Sequence, residues 1–109
     1  MAENARQGAL TETVFYILIS LLEARHGYAI MQNIYRLTNG RLNVGAGTLY
    51  GALETLLEKQ WIRSAGGDGN SRKKEYVVTD LGRIVMQGEI VRLEELLAIG
   101  RKELGGATL

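Results

Sequence analysis

Apolar residues along the chain fall into stripes of helical period, then two short alternating runs, then a longer helical stripe. The first stripe holds Val14, Ile17, Leu18, Leu21 and Leu22, the spacing of one buried helix face. Thr11 stands where an N-cap is needed, and Glu12 follows in the first turn, where a negative charge meets the helix dipole favourably. Arg25, His26 and Gly27 interrupt the stripe. A second helix then carries Ile30, Met31, Ile34 and Leu37 on one face and ends at Asn39-Gly40, a common C-terminal stop. A linker over residues 41–45 leads into a third helix, whose inward positions are Leu49, Leu53, Leu56 and Leu57, with Gln60 continuing the stripe.

Residues 61–65 and 75–79 read as strands, the second placing Tyr76 and Val78 on one face. Between them, residues 66–71 (GGDGNS) supply glycines suited to a hairpin tip. Thr79 caps a last helix with Asp80 in its first turn, running to about residue 104. The resulting fold class is mainly α with a small β-hairpin, a winged helix-turn-helix plus a long C-terminal helix. Residues 1–79 are expected to form a winged helix-turn-helix DNA-binding domain, residues 80–104 a C-terminal dimerisation helix and residues 105–109 a frayed tail. In this layout the third helix enters the major groove and the hairpin tip reaches the backbone or minor groove.

Length and composition narrow the picture. The 109 residues allow one domain and a modest core, so help from a partner subunit is reasonable. A hydrophobic fraction of 46% is that of a folded protein, and the absence of cysteine excludes disulfides, thiolate metal sites and a cysteine nucleophile. The longest apolar run, residues 14–22, is too short to cross a bilayer and too far inside the chain for a signal peptide. The expected location is the cytoplasm, with no membrane association. Net charge is only +1. Arg72, Lys73 and Lys74, beside Asp68 and Glu75, read in isolation as a solvated loop. At the tip of a wing they stand where phosphate contacts belong, with Arg72 and Lys74 alternating to the side opposite Lys73.

Four stretches resemble the PadR family of bacterial transcriptional regulators: LTETVFYIL at 10–18, HGYAI at 26–30, GAGTLYGAL at 45–53 and KEYVVTDLG at 74–82. The last alone is the least specific. The resemblance implies a homodimer on an inverted-repeat operator in double-stranded DNA, acting as a repressor released by a small-molecule effector. The chain is similar to the short branch of the family, in which one long C-terminal helix dimerises. Some relatives of that branch hold flat aromatic compounds between subunits with an aromatic residue on this helix. Here Leu93 stands near that place and the only tryptophan, Trp61, opens the first strand.

The DNA-facing residues expected from pattern and resemblance are Tyr28, Gly47, Thr48, Tyr50, Gly51, Arg72, Lys73 and Lys74. Thr48 and Tyr50 bring hydroxyls, and Gly47 and Gly51 allow close backbone approach. Glu54 and Glu58 repel phosphates, so only the first turn of the third helix approaches the duplex closely. For Tyr28 and Tyr50 the alternative is burial in the core, and His26, the single histidine, is expected to shape its turn.

The last helix holds more apolar residues than one face can use, which suggests a second buried surface. The expected dimer residues are Ile84, Val91, Leu93, Leu96, Leu97 and Leu104, and Ile90, Leu97 and Leu104 fall at heptad spacing. Phe15, Ile90, Leu93 and Leu97 are the expected lining of an effector pocket.

Catalysis is not expected. Gly45-Ala46-Gly47 lacks the continuation of a dinucleotide or P-loop fingerprint, and no triad, metal cluster or cofactor site is assigned. The competing reading is a winged-helix module that binds protein or ligand without reading DNA, since a fold does not fix a function.

Overall fold

Helix α1 (Glu12–Ser20) begins where the Thr11 hydroxyl accepts a hydrogen bond from the Val14 amide at 3.1 Å. It buries Ile17 and Leu18 completely, and Leu21 follows them into the core. The computed structural model describes residues 8–67 and 74–105. In these, α1 is followed by β1 (Arg25–His26), α2 (Gly27–Leu37), α3 (Ala46–Glu58), β2 (Ile62–Gly66), β3 (Glu75–Val78) and α4 (Asp80–Glu103).

The strand β1 is an addition to the two strands expected from sequence. Arg25 and His26 pair antiparallel with Tyr76 and Glu75, so β3 becomes the centre of a three-stranded sheet in the order β1-β3-β2. The interruption after α1 is therefore also the third strand. His26 goes on to cap α2, its Nδ1 accepting from the Ala29 amide at 3.2 Å.

Helix α2 stops at Asn39 and Gly40, both in the left-handed region at φ 52° and 80°, where glycine carries no steric penalty. The inward stripe of α3 is Leu49, Leu53 and Leu56, with Leu57 half-buried. Gln60 does not continue it. It lies beyond the helix end, exposed, at φ 63°, because the chain must reverse there to enter the sheet.

The core joins these apolar faces to Ile30 and Ile34 of α2, to Trp61, Ile62, Tyr76 and Val78 around the sheet, and to Val85 and Met86 of α4. Truncating such a buried leucine or isoleucine to alanine costs about 2–5 kcal/mol. Two contacts fix where α4 leaves this core. The Thr79 hydroxyl donates to the Gln60 carbonyl at 2.6 Å and accepts from the Gly82 amide at 3.0 Å. A Cβ on Gly82 would collide with the Trp61 carbonyl oxygen, so helix and strand approach only because that residue is glycine. Beyond Glu89 no residue of α4 is buried.

Candidate nucleic-acid interface

The start of α3 is open. Gly45 caps it without a side-chain hydrogen bond, and Gly47, Thr48 and Gly51 are exposed. A Cβ at Gly47 or Gly51 would meet nothing within 4 Å, so another molecule has room to approach the backbone. Glu54 and Glu58 are exposed further along the helix, which leaves its first two turns as the part compatible with an anionic partner.

Tyr50 is 37% exposed, and its ring lies directly over Gly27, the first residue of α2. A Cβ at Gly27 would overlap the Tyr50 hydroxyl. Tyr50 also neighbours Tyr76 of β3, whose hydroxyl is held above the usual tyrosine range by burial and then by Tyr50. Lys74, at the root of the wing, places its Nζ 5.8 Å from the centre of the Tyr76 ring. Three elements thus meet around one tyrosine: the start of α2, the start of α3 and the base of the wing. Tyr28 stands beside this junction, 61% exposed and outside the core. Arg72 and Lys73 lie outside the described residues.

Charge is segregated along the sequence. Residues 24–53 contain Arg25, Arg36 and Arg41 and no acidic residue, while all twelve acids lie elsewhere in the chain. The small net charge therefore hides an acid-free stretch that coincides with β1, α2 and the first two turns of α3. This signal was available in the sequence. All three arginines have partners: Arg25 donates to the Ser20 carbonyl at 2.8 Å and lies 3.8 Å from Glu23, and Arg41 pairs with Glu12. Arg36 donates to Asn33 Oδ1 at 2.7 Å.

A groove of about 460 Å³ runs along the outer side of α2, lined by Tyr28, Met31, Gln32, Tyr35, Asn43 and Val44. Of these only Tyr28 was expected at a site from sequence.

The outward apolar residues of α4 form a different surface. Ile84, Val91, Leu93, Leu96, Leu97 and Leu104 are all exposed, as are Ile90 and Ile99. Phe15 and Leu93 line a cavity of about 360 Å³ between α1 and α4, together with Leu10, Tyr16, Glu89 and Arg92. Ile90 and Leu97 are not part of that lining. Its polar wall is an ion pair in which Arg92 donates to Glu89 at 2.8 and 2.6 Å. These hydrogen bonds hold the nearly buried Glu89 carboxyl below the usual glutamate range.

Residues 15–88 match the sequence profile of the family described as "Transcriptional regulator PadR-like family". A transcriptional regulator from Clostridium thermocellum shares the fold at TM-score 0.70 and 22% identity, over 84% of this chain and 90% of that one. A PadR family transcriptional regulator from Eggerthella lenta is similar at TM-score 0.65 and 27% identity, over 86% of this chain and 81% of that one. RosR from H. salinarum is 30% identical at TM-score 0.63, over 86% of this chain and 78% of that one.

Proposed function

The chain belongs to the PadR-like family of transcriptional regulators, a family of regulators rather than enzymes, and from that premise we propose that it is a homodimeric repressor of an inverted-repeat operator. The observation that carries this reading is the open start of α3, where Gly47, Thr48 and Gly51 are exposed within a stretch, residues 24–53, that contains no acidic residue of its own. The start of α3 enters the major groove. Thr48 and Tyr50 offer hydroxyls there, Gly47 and Gly51 admit close approach, and Tyr28 meets a phosphate beside the start of α2. Arg72, Lys73 and Lys74 of the wing neutralise backbone phosphates.

The second half of the proposal concerns α4. Leucines 93, 96, 97 and 104 with Ile84 and Val91 are exposed along one chain. Apolar side chains concentrated on one helix favour a partner that removes them from water, by about 1.5–3 kcal/mol for each one fully buried. A second α4 supplies the matching surface and sets two α3 helices about one DNA turn apart. An effector entering beside Phe15 and Leu93 would relieve repression by favouring a dimer whose two heads no longer match that spacing, which requires tighter binding to the released form.

Selection from a random duplex pool, followed by titration of the enriched duplex and a scrambled one over a salt series, tests this. The reading expects an enriched inverted repeat bound far more tightly than the scrambled duplex, with steep salt dependence. Equal, weak binding to both supports a winged-helix module that takes a protein or ligand instead.

A further inference from the structure

The groove on the outer side of α2 has a composition that the major-groove reading leaves unused. It runs from Tyr28 to Asn43 and Val44, immediately before Gly45 and the start of α3, so it is continuous with the surface assigned to DNA above. Its polar groups are two tyrosine hydroxyls and the amides of Gln32 and Asn43, all uncharged. Tyr28, Gln32 and Tyr35 recur at i, i+4 and i+7, one stripe spanning about 10 Å of helix.

Tyr35 is 52% exposed yet not loosely held. Its ring lies over the turn that ends α2, where a Cβ on Gly40 would come within 3.1 Å of the ring and the hydroxyl. The Gly40 amide donates to the Tyr35 carbonyl at 2.8 Å, which closes that turn against the same residue. A pre-set hydroxyl loses little freedom when it binds. No carboxylate is among the residues that line the groove, and Glu12, the acid brought to residues 38–45, is paired with Arg41.

We propose that this tyrosine–amide groove holds the phosphodiester backbone of the same duplex through uncharged donors. In a helix-turn-helix the helix before the recognition helix crosses the backbone, and Tyr, Gln and Asn side chains are regular phosphate donors. Such contacts explain how a chain of net charge +1, with two glutamates on α3, supports DNA binding. They also carry a signature that distinguishes them from lysine and arginine contacts. A neutral donor displaces no condensed counterion, so it adds affinity without adding to the salt slope.

This inference rests on the DNA-binding reading, and its test separates the two. The full chain and the variants Gln32→Ala, Tyr35→Phe and Asn43→Ala are titrated by fluorescence anisotropy against the enriched and scrambled duplexes at several salt concentrations. Thermal melts are recorded alongside. Each variant is expected to melt like the parent and to bind both duplexes about five-fold more weakly at every salt concentration, with the slope unchanged. Variants that bind like the parent overturn the groove while leaving the DNA reading intact. A loss confined to the enriched duplex also overturns it, because the side chains would then read bases. A parent chain that enriches no duplex overturns both.

Discussion

The face built by α2 and α3 and the far half of α4 are both solvent-exposed, and their chemistry is opposite. Residues 24–53 bury Ile30, Ile34, Leu49 and Leu53 in the shared core, and carry hydroxyls, amides, glycines and three arginines with no acid of their own. From Ile90 to Leu104 the chain does the reverse: seven large apolar side chains stay exposed, set among acids and bases of both signs. The first surface is finished as a fold and offers hydroxyls, amides and open backbone. The second is balanced in charge and unfinished as a core. An anion fits the former, and apolar surface of the same kind completes the latter. The two needs are met at different places, so each can be broken without the other.

Breaking the α4 side has the largest expected effect. Leu97→Arg puts a cation at the middle of the Ile90, Leu97, Leu104 heptad, where pairing of two copies would bury it twice at several kcal/mol each. Sedimentation should find a monomer at micromolar concentration, and operator affinity should fall at least about a hundred-fold, while the melting of the winged-helix core changes little.

On the other surface, Gly27→Ala should push Tyr50 off its seat above the start of α2. Overpacking of this kind costs about 1–3 kcal/mol, and DNA affinity is expected to drop about ten-fold by anisotropy. Tyr50→Ala removes the obstruction, so the pair of substitutions should cost much less than the sum of the two. Additive losses would show that Gly27 does not act through Tyr50.

A smaller change separates charged from neutral contacts. Lys74→Ala should lower the log–log salt slope by about one, whereas substitutions in the α2 groove should not move it.

The smallest effect marks the root of α4. The Glu89 carboxyl is held low by hydrogen bonds from Arg92. Its stabilisation is therefore complete above the unfolded glutamate value of about 4.3 and disappears as pH falls through the lower folded value. Calorimetry of the parent against Glu89→Gln should show a stability difference that is flat above about pH 5 and shrinks below about pH 4.

Helices α1, α2 and α4 were legible because each repeats its apolar residues at helical period and carries its own cap or stop, while α3 shows the period alone. Thr11 and Thr79 cap α1 and α4 as their positions imply. Strand β1 was not legible. Arg25 and His26 have no alternation of their own and become a strand only because β3, fifty residues later in sequence, offers them an edge. Gln60 was misplaced by extending the α3 stripe past the point where the chain leaves the helix. Glu89 and Leu93, four apart on α4, line the cavity with Phe15, while Leu97 continues the same stripe one turn further along, past the cavity, and Ile90 is not in its lining. The groove went unseen since Tyr35, Gln32 and Asn43 belong to two elements whose approach depends on the turn at Gly40. The acid-free stretch is legible in the sequence alone.

Hydroxyl-radical footprinting of the enriched duplex reports both surfaces at once, the DNA-facing start of α3 and the pairing of α4. Two equivalent protected regions are expected, related by inverted symmetry and centred about one helical turn, roughly 34–36 Å, apart. A single protected region, or uniform weak protection along the duplex, would contradict a dimer that reads DNA with two copies of α3.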